Sequence, residues 1–215
     1  MQPGDIVLSV ATIQDDRGTK VPRVFIRAGQ WLKCKIFNGA EAPRVPIVHA
    51  AIAVGGNTVI ESVGSGIVAT NLANENPPRS AIVYSARSPQ LAEAAALAAS
   101  QFYNDRESSG ITGRYSVWKA FLSIFKNNNG GGELTRRINE SVAIGDSSFC
   151  SQFVANCYEI GNLYSSANLT PPPAPVFALR PSAMTPYELA EFCDQAGSDF
   201  LFTAFWQDGV EHALS

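Results

Sequence analysis

The chain has 215 residues, of which 46% are hydrophobic and 16% charged, and its net charge is −3. That length fits one domain with a core of its own, and the composition excludes intrinsic disorder, which needs few apolar residues and much charge. Sixteen basic residues stand against 19 acidic ones, so there is no cationic excess to neutralise phosphates, and no nucleic-acid partner is expected.

In chain order, Asp5–Val10 is a short apolar run behind a Pro-Gly turn and reads as a strand. Phe25, Ala28, Leu32 and Ile36 recur at helical spacing, so 24–37 reads as an amphipathic helix. Pro43 and Pro46 break the chain before Ile47–Val54, a β-rich run. The turn Gly55-Gly56-Asn57 joins it to a second strand, Thr58–Val63, as a hairpin. Strands follow at 67–72 and 81–85, on either side of an Asn/Pro-rich loop. Ser88-Pro89 caps and opens a helix that runs through the Ala-rich stretch to Tyr103. A further helix is expected over 116–126, then a Gly-rich loop, Asn127–Gly132. A polar start at Asp146 leads into an apolar helix ending at Ile160. Pro171–Pro175 is a stiff connector. Thr185-Pro186-Tyr187-Glu188 is a capping box opening a helix to Gln195, and 200–206 reads as the last strand. Strands and a hairpin come early and helices late, which is the order of an α+β fold in a single domain over residues 1–215.

No apolar run reaches the roughly 18 residues that a membrane span needs. The start Met1-Gln2-Pro3-Gly4-Asp5 lacks the basic and apolar regions of a secretory signal, so the expected location is cytoplasmic as synthesised. Cys34, Cys150, Cys157 and Cys193 form no close CxxC pair, and with two histidines in the chain zinc-ligand spacing is missing. Free thiols in a reduced compartment are expected, with no metal and no cofactor. Gly64-Ser65-Gly66 has the wrong spacing for a nucleophile elbow and reads as a turn. Trp31, Trp118 and Trp206 read as core. Arg114 and Tyr115 read as a solvated loop before a helix.

Cys150 is the most informative residue. It falls in the first turn of its helix, where unpaired N–H groups and the macrodipole favour an anion, and a thiolate is such an anion. The competing reading is a buried structural thiol, which is the reading for Cys157, two turns deeper on the same face. His49 lies in an otherwise apolar strand and needs partners for its ring nitrogens. A cysteine nucleophile needs such a base, and the base needs an orienting group. His212, near the end of the sequence, is expected to be frayed or exposed. Glu61 follows His49 by twelve positions, an even offset. Strand side chains alternate with period two, so across the tight turn the two can share a face as diagonal neighbours, roughly 7–8 Å apart at Cα. A carboxylate there can bond one imidazole nitrogen and leave the other for the thiol. The competing readings are a core histidine bonded to a backbone carbonyl and a solvent-facing charge on an edge strand.

His49-Ala-Ala-Ile-Ala-Val-Gly-Gly-Asn-Thr-Val-Ile-Glu61 resembles the His hairpin of the NlpC-like papain-fold cysteine peptidases, and Phe149-Cys150-Ser151-Gln152-Phe153-Val154 resembles their nucleophile helix. His49 precedes Cys150, which matches the circularly permuted branch. Pro3-Gly4-Asp5-Ile6-Val7 and Ser182–Leu189 resemble that branch too. The resemblance implies a papain-like fold, an antiparallel sheet bearing His49 and Glu61 packed against the Cys150 helix, and thiol attack on an amide or ester carbonyl. It implies Cys150 as nucleophile, His49 as base, Glu61 as orienting group, and the Cys150 backbone N–H as part of an oxyanion site. Two departures are Gln152, where the ordinary branch often has a small residue, and the long 10–46 and 127–144 insertions. The implied substrate is bacterial cell-wall peptide, peptidoglycan in type. Without a signal, that target fits an exported effector with a secretion or immunity partner, or a cytoplasmic recycling enzyme. The alternatives are a cysteine acyltransferase or lipid-amide hydrolase, marked by a deep apolar groove beside Cys150, and a binding module whose Cys150 is inert to alkylation.

Overall fold

The computed structural model describes residues 1–10, 47–109, 150–166, 173–178, 181 and 184–214. The expectations for 24–37, 116–126, 127–132, Cys34, Trp31, Trp118, Arg114, Tyr115, residues 146–149 and the bulk of both insertions lie outside these residues. Seven strands are described: β1 (Ile6–Val10), β2 (Ile47–Gly55), β3 (Thr58–Val63), β4 (Gly66–Asn71), β5 (Ala81–Ala86), β6 (Phe200–Gln207) and β7 (Val210–Ala213). They form one sheet in the order β4-β3-β2-β1-β5-β6-β7, and every pairing in it is antiparallel. The described helices are α1 (Pro89–Ser109), α2 (Cys150–Ser165) and α3 (Pro186–Asp194), with a 3-10 turn at Leu72–Asn74. The architecture is α+β.

The middle strand explains the layering. All five residues of β1 are buried, so both faces of the sheet are covered there. Ile6, Leu8 and Val10 join Ala50, Ile52, Ile60, Ile82 and Tyr84 in the main core with the helices. Val7 belongs to a smaller cluster with Ala51, Ala53, Val59, Leu72, Ala81 and Trp206. Adjacent residues fall in different clusters because strand side chains alternate faces. Register then assigns Glu61 to the face of Val59, opposite the helices.

The helices are placed by local chemistry that the sequence shows. Ser88 Oγ accepts the Leu91 N–H at 3.3 Å, capping α1. The Thr185 hydroxyl accepts the Glu188 N–H at 3.2 Å while Glu188 accepts the Thr185 N–H at 2.7 Å, closing the capping box of α3. Small residues let α1 and α2 meet closely: a Cβ on Gly161 would lie 2.7 Å from the backbone nitrogen of Ala95. Helix α2 is buried through nearly its whole length, from Ser151 to Gly161 and again at Leu163. Its fully buried Glu159 accepts the backbone N–H groups of Val176 and Phe177 at 3.0 and 3.1 Å. That clamp seats Phe177 among Tyr158, Phe192 and Phe200.

The chain after Trp206 departs from expectation. β6 is not the last strand: it turns through Asp208 (φ 51°) and Gly209 (φ 81°) into β7, a pair of positive-φ residues suited to a tight hairpin. His212 is exposed, as expected, but lies in β7 and stacks on Phe205 with ring centroids 5.0 Å apart. Trp206 is 1% exposed and lies in the core. No helix among the described residues is long and apolar enough to cross a membrane.

Candidate active site

Residue 49 enters the site near the start of β2. The β2–β3 ladder pairs Ala51 with Glu61, then Ile52 with Ile60. His49, two residues before Ala51, is therefore diagonal to Glu61 on the same face. The even offset and the Gly turn produce this arrangement locally, with no help from the rest of the fold. The side chains meet directly: His49 Nε2 lies 2.7 Å from Glu61 Oε2. An ionised carboxylate only accepts, so the imidazole donates this bond.

Glu61 is not a charge on an edge strand. β4 lies outside β3, and Glu61 is 2% exposed. Its Oε1 accepts from Thr70 Oγ1 at 2.6 Å and from Arg79 Nη2 at 3.1 Å, and its Oε2 accepts from Arg79 Nη1 at 2.6 Å. Burial alone would push the carboxyl pKa up. The bonds from His49, Arg79 and Thr70, with the arginine charge, outweigh it and hold the group down at about 2, against an ordinary 4.5.

Helix α2 begins at Cys150 itself. The thiol is free and partly exposed. It hydrogen-bonds His49; with Nε2 committed to Glu61, Nδ1 is the ring nitrogen left for the sulfur. The position also follows from where β2 and β3 part. Ala53 bonds Gly4 and Asp5, just before β1, through its carbonyl and its N–H respectively, so by alternation the Ala50 N–H points the other way, toward β3 and beyond the last ladder pair. Backbone bonds from Ala50 and from Ser151, in the first turn of α2, reach the sulfur. Burial opposes ionisation of Cys150. The His49 bond and charge and the two backbone bonds override it, so its pKa is lowered. For His49, burial likewise disfavours the charged ring, but the bonds and charges of Cys150 and Glu61 win, and its pKa rises from 6.5 to about 9. At neutral pH the geometry favours a thiolate–imidazolium pair backed by a carboxylate.

The remaining described thiols differ in kind. Cys157 and Cys193 are buried, and burial drives both well above the ordinary thiol range. Gln152, on the first turn of α2, is 2% exposed, and its Nε2 meets no hydrogen-bond acceptor among the described residues. No three His, Cys, Asp or Glu side chains converge as a metal-ligand set among the described residues.

The structure thus brings together the three residues singled out from the sequence and adds two that were not, Thr70 and Arg79. Thr70 had a signal: it lies on the adjoining strand, where Val59 pairs with it, and so shares the face of Glu61. Arg79 had none, being a loop residue just before β5. Compared with protein-family models, curated proteins and solved structures, the chain matches none.

Proposed function

We propose that the chain is a thiol-dependent hydrolase that cleaves an amide bond, with Cys150 as nucleophile, His49 as acid and base, and Glu61 as the group that orients His49. One observation carries this reading: a single imidazole is bonded to a partly exposed thiol at a helix start and to a buried, ionised carboxylate. A structural histidine is satisfied by the carboxylate alone and has no need of a partly exposed thiol on its other nitrogen, whereas a nucleophile and its base require that arrangement. The thiolate attacks the carbonyl carbon, and the backbone N–H of Cys150 at the start of α2 stabilises the developing oxyanion. His49 gives its Nδ1 proton to the leaving amine as the C–N bond breaks, leaving a thioester. The now neutral ring takes a proton from water, which attacks the thioester and restores the thiolate and the imidazolium.

The resemblance of the His49–Glu61 hairpin and the Cys150 helix to the permuted NlpC-like branch supports a papain-like fold and bacterial cell-wall peptide as the substrate class. Incubation of the full chain with purified peptidoglycan, followed by mass spectrometry of soluble fragments, tests this. Fragments released by the native protein and absent with a folded Cys150→Ala variant are expected. Release by Cys150→Ala, or no release by a native protein whose Cys150 is reactive, would refute the assignment of nucleophile or of substrate respectively.

A further inference from the structure

Glu61 is gripped more firmly than orienting an imidazole requires. One bond to Nε2 suffices for that. Arg79 adds a two-pronged contact, Nη1 to Oε2 at 2.6 Å and Nη2 to Oε1 at 3.1 Å, and Nη2 also donates to Glu75 Oε1 at 2.5 Å. Thr70 adds the fourth bond to the carboxylate. The groups form a line of alternating charge: Glu75 negative, Arg79 positive, Glu61 negative, His49 positive, Cys150 negative. They come from five separate places: the loop after the 3-10 turn, the segment before β5, β3, β2 and the start of α2.

We propose that Arg79 is a positioning residue of this site: its guanidinium, anchored by Glu75, clamps both oxygens of Glu61 so that Oε2 stays a fixed, ionised acceptor for His49 Nε2–H. The purpose of the clamp rests on the hydrolase reading; its existence rests on the four side chains alone. Two physical arguments lead to it. A carboxylate held by one bond can rotate and exchange its oxygens, while the arginine fork matches both at once. And the reaction passes through a stage in which His49 has given up its proton. At that stage a buried Glu61 with no other cation would be an uncompensated charge, which is costly. Arginine keeps its charge at every working pH, so Glu61 remains ionised through the whole cycle.

The test is imidazole NMR against pH on the full chain carrying His212→Asn, so that His49 gives the only imidazole signals. Arg79→Met and Arg79→Lys are compared with the native arginine, and Cys150 alkylation by iodoacetamide is timed in the same samples. With arginine, the groups facing His49 are Cys150 and Glu61, and those facing Glu61 are His49, Thr70 and Arg79; His49 at about 9 and Glu61 at about 2 lie outside pH 4 to 6, and titration of the thiol is followed separately by alkylation. In Arg79→Met, Glu61 loses two donors and a cation, so its protonation moves up and appears in the His49 signals as a new step between about pH 4 and 6. Cys150 alkylation at neutral pH falls, because a His49 without its fixed, ionised acceptor holds the thiolate less firmly. Arg79→Lys keeps the charge without the fork, so its step lies below that of the Met variant. If Arg79→Met does not fold, Arg79→Lys against the native protein decides: a step absent from the native profile supports the clamp, and an identical profile overturns it. A folded Arg79→Met with native His49 signals and native alkylation overturns it as well, even if it melts lower. Slow alkylation of Cys150 in the arginine-bearing protein would defeat the hydrolase reading while leaving the His49 profiles to judge the clamp.

Discussion

Glu61→Gln keeps the shape of the side chain and removes its charge, and the structure sets the size of the effect. In the folded protein the carboxyl titrates at about 2, against 4.5 for the free group. Each unit of displacement is about 1.4 kcal/mol, so ionised Glu61 contributes about 3 kcal/mol to stability at neutral pH. That agrees with the ~3–5 kcal/mol cost of removing one partner from a buried ion pair. The sign follows from the downward displacement: the contribution is complete above the unfolded value of 4.5 and is lost as pH falls toward about 2. At pH 3 about 1 kcal/mol of it should remain. For a chain of this size, 3 kcal/mol corresponds to a melting temperature lower by roughly 6–12 °C. Thermal unfolding of the native protein and Glu61→Gln, followed by circular dichroism from pH 7 down to pH 3, reads this directly. The gap should be widest at pH 7 and should close by more than half at pH 3. Equal melting temperatures at pH 7, or a gap that does not change with pH, would refute the claim that Glu61 is held as a buried, paired carboxylate.

Three further outcomes follow from the same geometry. Limited iodoacetamide at pH 7, with chymotryptic peptides read by mass spectrometry, should label Cys150 and leave Cys157 and Cys193 unmodified, because only the first is both partly exposed and lowered in pKa; equal labelling in the folded protein would contradict the ion pair. Once a turnover assay is in hand, His49→Ala should cost more kcat than Glu61→Gln, because the orienting group is the least indispensable of such a set; equal losses would give Glu61 a different role. Gly161→Val should lower stability by at least about 1–3 kcal/mol through overpacking, since the added Cβ meets the Ala95 backbone at 2.7 Å; a denaturant midpoint matching that of the native protein would show that α1 and α2 are not so closely opposed.

What the sequence disclosed divides by range. The His49–Glu61 contact was legible because a hairpin is a local object: an even offset, a Gly turn and period-two alternation fix which side chains share a face, and the register bears this out. The helix starts at Ser88 and Thr185 were legible for the same reason, since a cap is written in three or four adjacent residues. The β7 hairpin was equally legible in Asp208-Gly209, a strong short-range hairpin dipeptide, but it lay beyond an apolar run that reads as a natural end. The meeting of Cys150 with His49 is of another kind. No local rule joins residues so far apart in the chain; it depends on α2 crossing the sheet so that its first residue arrives where the β2–β3 ladder stops. Arg79 was beyond reach altogether. It lies in an Asn/Pro-rich loop with no periodicity, and a lone arginine there reads as solvated.

That asymmetry bears on the chemistry. On the proposed reading the hairpin supplies a base and its orienting carboxylate from positions twelve apart, but a buried carboxylate cannot stay ionised on the strength of an imidazole that is neutral for part of each cycle. The missing counter-charge has to be permanent, and it has to approach from outside the hairpin, because the β2 side of Glu61 is already occupied by His49. The loop before β5 is where the chain delivers Arg79 to that open side, with Glu75 behind it to neutralise the arginine in turn. A thiol placed at the other end of the line then faces an imidazole whose proton is stabilised from both directions. The least legible residue of the site is therefore the one on which the ionisation of the most legible pair depends.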